Sequence, residues 1–346
     1  MIRRILWPGL LLGPLTIALA ASSALSKTDL FALAAVSLIP LAWLIGEATE
    51  HLAAHTGPGI GGFLNATFGN SPELIIALFA VADGLGGVVR GSLTGSVVGN
   101  LLLVLGASLV VGKRSKVDRV SSFTWLGLVG LSTLLFVIPA TVAWSGGTSR
   151  QATALSSIPV SIALLACYLA LTWRALRRHR LIHVSDLPSE IHAWSLPLSL
   201  VTLAAATAVT ALVAEIVVHT IDTFATHAHL SELFVAAVIV AIVGNAAEHG
   251  GAVVVASRGH VKLASEIALS SSAQVAVFLI PAVSLASWLI KPLALSFRPV
   301  EILAFAAAAL LAGTVLARDR TSRPLGVVLL VGYVAIATSF FLVGRA

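Results

Sequence analysis

The sequence predicts an all-α polytopic membrane protein of about 11 transmembrane helices, built as two inverted five-helix repeats plus one extra N-terminal helix. Three observations predict it. Of 346 residues, 58% are hydrophobic and only 10% are charged, with a mean hydropathy of +1.01. Soluble domains carry nearer ~25% charged residues, so this chain has too little charge to cover a globular surface in water. The apolar residues fall into runs of about 20 or more, enough for a helix to cross ~30 Å of hydrocarbon. And one pattern, Gly-Asn-x-x-Glu, occurs twice, in GNSPELIIALFA at 69–80 and in GNAAEHGGAVVVA at 244–256.

The spans, in order, are roughly 5–24, 30–54, 58–82, 88–112, 120–143, 152–173, 197–221, 230–257, 263–290, 296–317 and 323–344. Leu, Ala and Val dominate and no period-two strand pattern occurs. Helices satisfy their own backbone groups, as lipid requires. Arg3 and Arg4, the apolar run after them and Ala18-Leu19-Ala20 also fit a cleavable signal peptide, which would leave ten spans. Lys and Arg set the orientation. With the N-terminus in the cytoplasm, 15 of the 21 basic residues fall on the cytoplasmic side, in clusters such as Lys113–Arg119 and Arg174–Arg180. That bias is the positive-inside pattern and puts Ala346 outside. It accounts for the sequence pI of about 10.1 without a nucleic-acid partner. The single cysteine, Cys167, excludes an intramolecular disulfide framework.

The repeat sets the organisation. The two Gly-Asn-x-x-Glu copies lie 175 residues apart. A helix with its own acid precedes each copy, Glu50 in one and Glu215 in the other. A helix with polar residues four apart follows each, Ser96 and Asn100, then Ser270 and Gln274. The expected units are an extra helix at 1–29, a first repeat at 30–173, a basic cytoplasmic linker at 174–196 and a second repeat at 197–346. Five helices per repeat is odd, so the second enters the membrane from the opposite face, as in secondary transporters.

Gly69-Asn70-Ser71-Pro72-Glu73 reads as a helix break. Gly relaxes the backbone, Asn is a good N-cap, and Pro in a first turn loses no needed hydrogen bond. Glu73 then occupies the third helical position, as Glu248 does after Asn245. A capping box is the plain explanation. However, an ionised Glu deep in a bilayer costs several kcal/mol, and Asn, Ser or Gln would cap more cheaply. Two such glutamates related by a pseudo-twofold axis would meet near the midplane. One divalent cation or two protons would neutralise them. Their hard oxygens suit Ca²⁺, with Asn70, Asn245 and freed carbonyls completing the shell.

Glu50 and Glu215 are read as acids on a proton or cation path, against simple interhelical hydrogen bonds. Ser270, Ser272, Asn100 and Gln274 are read as ligands or as polar glue between helices. His249 is a candidate proton relay. Glu47 is not separable from packing, and Glu266 and Glu301 read as interfacial.

The stretches GGFLNATFGNSPELIIALFA, VAIVGNAAEHGGAVVVA and LAWLIGEATEHLA resemble the calcium/proton exchanger (cation/proton exchanger) family of the Ca²⁺/cation antiporter superfamily, over nearly the whole chain from Leu30. The resemblance implies a non-enzymatic membrane antiporter with inverted five-helix repeats, moving Ca²⁺ and H⁺ and needing no cofactor. By motif it implies Glu73 and Glu248 as the paired cation-binding carboxylates, Asn70, Asn245 and Gln274 beside them, and Glu50 and Glu215 as pathway acids. Two departures stand out. The linker is basic, with only Asp186 and Glu190, and His51 replaces an acid that many members carry.

The reading is Ca²⁺/H⁺ exchange by alternating access in a prokaryotic inner membrane. A Na⁺/Ca²⁺ or K⁺(Na⁺)/H⁺ exchanger on the same fold and a passive cation channel remain alternatives, and a homo-oligomer is left open. No HExxH, GxSxG or P-loop pattern occurs to support an intramembrane enzyme.

Overall fold

The computed structural model describes residues 2–146, 149–181, 194–318 and 320–343. Among them every regular element is a helix, apart from one isolated bridge between Lys116 and Arg320 in two loops. The helices are α1 (Ile2–Gly9), α2 (Leu12–Ser22), α3 (Lys27–Phe68), α4 (Ser71–Ala82), α5 (Gly86–Val111), α6 (Arg119–Trp144) and α7 (Arg150–Leu181). They continue as α8 (Leu196–His227), α9 (Glu232–Gly244), α10 (Ala246–Ser257), α11 (Val261–Leu289), α12 (Pro299–Leu316) and α13 (Arg323–Val343). Local signals set several starts. Asp118 accepts the Ser121 N–H at the head of α6, and Ser195 accepts the Leu198 N–H at the head of α8, where Pro197 fills a first-turn position. Lys262 lies 2.9 Å from Asp118 and holds its carboxyl below the usual carboxylate range.

The count of 11 is not reproduced. Among the described residues, eight helices are long and apolar enough to cross a membrane, and nine if α9 and α10 form one span bent by 60°. The first expected span is a shorter apolar stretch, Leu6–Ser22, and the third is divided between the end of α3 and the short α4. The boundary expected between 54 and 58 is also absent, since α3 runs helically through both spans. Yet α3 is not straight. Leu64 and Phe68 pack on a cluster that includes Ile45, Ala48 and Leu52, whereas a straight helix would carry Leu64 about 18 Å beyond Leu52. The chain therefore folds back between Leu52 and Leu64 without a loop. On the other side, α7 extends to Leu181, so the first part of the segment read as a linker is helical. Asp186 and Glu190 lie outside the described residues.

Corresponding elements of the two halves interlock. The first helix of each half, α3 and α8, form the most extensive helix pair in the molecule. α5 packs on α9 and on α11, so the second helix after the first break lies against the helix before the second break. Gly95 permits that approach. A Cβ there would fall inside the Ala237 carbonyl oxygen and 2.7 Å from the Ala241 Cβ. Gly95→Val is expected to force α5 and α9 apart at a cost of about 1–3 kcal/mol or more. The check is a lower thermal midpoint and loss of the monodisperse peak in detergent. Gly127→Ala, where a Cβ meets nothing within 4 Å, should leave both unchanged.

Candidate functional site

Two helix breaks build the site. Asn70 separates α3 from α4 with φ −95° and ψ 14°, and Asn245 separates α9 from α10 with φ −95° and ψ 5°. The same sequence pattern thus gives the same backbone turn twice. Neither Asn caps its helix through its side chain, which departs from the N-cap expected of them. Both amides instead reach across to the other half. Asn70 Nδ2 donates to Gln274 Oε1 at 3.4 Å, and Asn245 Nδ2 donates to Ser96 Oγ at 2.9 Å.

A side chain bonds to the backbone at each break, but differently in the two copies. Ser71 Oγ donates to the Phe68 carbonyl at 2.7 Å. The second copy has Ala246 in that place, and there Asn245 Nδ2 donates to the Ala241 carbonyl at 2.9 Å. Ser71-Pro72 and Ala246-Ala247 therefore make the two halves chemically unequal. Asn245 Oδ1 remains buried without a hydrogen-bond partner among the described residues.

The two glutamates occupy matching first-turn positions in different surroundings. Glu73 is buried, and its carboxyl packs against Gly244, where an added Cβ would lie 3.5–3.7 Å from its Cγ, Cδ and Oε1. Glu73 Oε2 has no hydrogen-bond partner among the described residues. Glu248 accepts a 2.6 Å hydrogen bond from Ser271 Oγ, and Ser271 Oγ accepts one from Asn100 Nδ2 at 3.0 Å. Glu73 thus lies against the residue that directly precedes Asn245 at the second break.

A cavity of about 510 Å³ opens onto this junction. Glu47, Glu50, Gly69, Gly244, Glu248, Ser270, Ser271 and Gln274 line it, together with Ala42, Trp43, Gly46, Ala53, Ala247 and Ile267. Of the residues read as pathway acids, Glu50 lines this cavity and Glu215 does not. Glu215 is half-buried on α8. Ser270 faces the cavity, while Ser272 turns away to the Ala268 carbonyl at 2.9 Å and toward the Val97 carbonyl at 3.4 Å. His249 lies against Gly99, with Nε2 buried and no hydrogen-bond partner among the described residues. It does not line the cavity.

Sequence reasoning missed Ser271, the direct partner of Glu248. Helical phase contains the signal. Ser271 is three residues before Gln274 and Ser270 is four, so both share its face, whereas Ser272 does not. Glu47 was likewise left aside, yet it lines the cavity and sits 3.5 Å from His51 Nε2. Glu301, read as interfacial, lies in the first turn of α12. It is 1% exposed and accepts the Arg298 N–H at 2.6 Å. Among the described residues, no three His, Cys, Asp or Glu side chains group as they would around a resident metal. The paired glutamates are two acids among amide and hydroxyl oxygens.

The chain Asn100–Ser271–Glu248 makes a measurable forecast. Ser271→Ala strands a buried amide and a carboxylate oxygen, and should cost about 1–3 kcal/mol. In a double-mutant cycle with Asn100→Ala, followed by thermal unfolding in detergent, the two effects should be non-additive by about 0.5–3 kcal/mol.

Comparison with known proteins fits this geometry. The family model for sodium/calcium exchanger protein matches residues 28–177 and 198–342. The chain is 39% identical over 324 residues to the Ca²⁺/H⁺ antiporter ChaA of Bacillus subtilis, covering 90% of this chain and 92% of that protein. It is 33% identical to the vacuolar cation/proton exchanger 1 of Arabidopsis thaliana, covering 91% and 73%. The solved structure of native YfkE superposes with a TM-score of 0.82 at 35% identity, covering 96% of this chain and 99% of that one. The H⁺/Ca²⁺ exchanger CAX shares the fold, with a TM-score of 0.70 at 16% identity and coverage of 99% and 92%. The chain belongs to the sodium/calcium exchanger protein family, and within it stands with the calcium/proton exchangers.

Proposed function

We propose that this protein exchanges Ca²⁺ for H⁺ across a membrane by alternating access, with Glu73 and Glu248 as the shared site. The observation that carries this reading is the pair of equivalent breaks, each with a glutamate three residues on and each bonded across to the other half. The names of the relatives support the ions: Ca²⁺/H⁺ antiporters and vacuolar cation/proton exchangers.

The chemistry follows from charge. Two neighbouring carboxylates shielded from bulk water repel, and either one Ca²⁺ or two protons cancels that repulsion. Occupancy by one excludes the other, so the two fluxes are coupled at the site itself. Glu73 and Glu248 bind Ca²⁺ on one leg of the cycle and are protonated on the other. Asn70, Asn245 and Gln274 orient or supply hard oxygens, and Ser271 holds Glu248 in place. Glu47 and Glu50 line the approach and attract the cation toward Glu248. The cavity reaches the junction from the Glu50 side, and Glu215 lines no part of it. That asymmetry supports a state open to one face. Positive-inside charge makes that face the cytoplasm, with Glu215 on the route used when the site opens outward.

The test is Ca²⁺ uptake into liposomes driven by an imposed pH gradient, in Na⁺-free and K⁺-free buffer, with internal pH followed at the same time. Wild-type protein should take up Ca²⁺ and release protons together. Glu73→Gln and Glu248→Gln should each lower uptake by ~10-fold or more. Full proton-driven uptake by either variant would sink the paired-site reading. Uptake that requires Na⁺ or K⁺ would favour the alternative exchangers, and Ca²⁺ flux with no proton movement would favour a channel.

A further inference from the structure

Glu266 is an acid that the exchange chemistry does not use. It sits on α11 one turn before Ser270 and is half-buried, on a helix that packs on α6. Its Oε2 accepts from Ser121 Oγ at 2.7 Å and from Trp125 Nε1 at 3.1 Å. One turn earlier on α11, Lys262 Nζ lies 2.9 Å from Asp118 Oδ2, and Asp118 Oδ1 accepts the Ser121 N–H. The first two turns of α11 are therefore fastened to the first two turns of α6 by charge and by hydrogen bonds. α5, the corresponding helix of the first half, is fastened to α12. There Arg90, six residues before Ser96, lies 3.9 Å from Glu301 in the first turn of α12. Each helix that brings polar side chains to the junction is thus tied, ahead of those side chains, to a helix of the other half.

On the other side of those side chains both helices make a wide turn. The Leu105 N–H donates to the Asn100 carbonyl on α5, and the Ile280 N–H donates to the Val275 carbonyl on α11, each five residues back rather than four. Such a turn holds an extra residue and shifts the rotational phase between the two parts of a helix. On α11 the stretch that carries Ser270, Ser271 and Gln274 lies between the Glu266 fastening and this turn. Glu266 and Ser271 stand ~140° apart around the helix axis and ~7.5 Å apart along it. Glu266 bonds to α6, while Ser271 bonds to Glu248 on α10. A rotation of ~20° would move an oxygen ~6 Å from the axis by ~2 Å. That is enough to break the 2.6 Å bond from Ser271 to Glu248.

We propose that Glu266 is a positioning residue for the cation site: its fastening to α6 sets the rotation of α11 at which Ser271 meets Glu248. The proposal rests on the reading of Glu248 as one half of that site. The test is calorimetric titration of Ca²⁺ into the purified full chain in detergent, with a monodisperse elution peak as the check on folding. Glu266→Ala removes the acceptor for Ser121 and Trp125 and should weaken Ca²⁺ binding by about 5-fold or more. Glu266→Gln keeps an oxygen that both donors can reach, so its affinity should stay within about 2-fold of wild type. Glu266 acts through Ser271, so in a Ser271→Ala background Glu266→Ala should weaken binding by no more than about 2-fold further. If Glu266→Ala gives no monodisperse peak, the double variant Ser121→Ala/Trp125→Phe takes its place with the same expected loss. Unchanged affinity in the variant that lacks the fastening, a Gln variant as weak as the Ala variant, or full additivity with Ser271→Ala would each overturn this proposal alone. A wild-type chain that binds no Ca²⁺ would overturn the site reading and this proposal with it.

Discussion

At Asn70 and Asn245 two helices stop and restart inside the body of the protein, and lipid offers no hydrogen bond to the backbone groups such breaks release. Most other features near the site follow from that constraint. The breaks must be covered by protein, so each lies against the opposite half. Their amide side chains cannot turn to water, so they bond to Gln274 and Ser96. Close cover demands small residues at the contacts, which explains Gly95 against Ala237 and Gly244 against Glu73. The break is thus a shared structure, made by one half and sealed by the other.

The sharing has an electrostatic consequence. A carboxyl group stands three residues past each break, Glu73 buried and Glu248 half-buried at the cavity wall, and burial of an acid makes its charge costly unless a partner neutralises it. The two members are not equivalent. Glu248 meets the cavity and a serine, while Glu73 is buried against a glycine with one oxygen unpartnered. The break beside Glu73 is closed by Ser71, and the break beside Glu248 by its own asparagine. The surroundings of the two glutamates therefore differ in access to the cavity and in hydrogen-bond supply.

Several features near the site were legible in the sequence because they depend on local chemistry. The breaks at Asn70 and Asn245 follow from Gly-Asn before a helix start, and the matching offset of Glu73 and Glu248 follows from counting. Others were not. Helical phase puts Ser270 and Ser271 on the face of Gln274, but that Ser271 is the one bonded to Glu248 depends on how α11 packs on α10. A boundary is expected between 54 and 58, but α3 stays helical there while Leu64 and Phe68 pack on the cluster that holds Ile45, Ala48 and Leu52. Glu301 reads as interfacial because it opens a helix, yet Arg90 from a distant helix makes its burial tolerable.

By itself the sequence determined that the chain is helical, that it is apolar enough to cross a membrane repeatedly, and that two equivalent breaks each carry a glutamate. These rest on composition, periodicity and charge, which act within one helix or its immediate neighbours. The tertiary structure alone decided which side chains cross between the halves and that Glu50 rather than Glu215 shares a cavity with Glu248. Those depend on how helices rotate and lean against one another, and residues 150 to 200 positions apart carry no local signal of that contact.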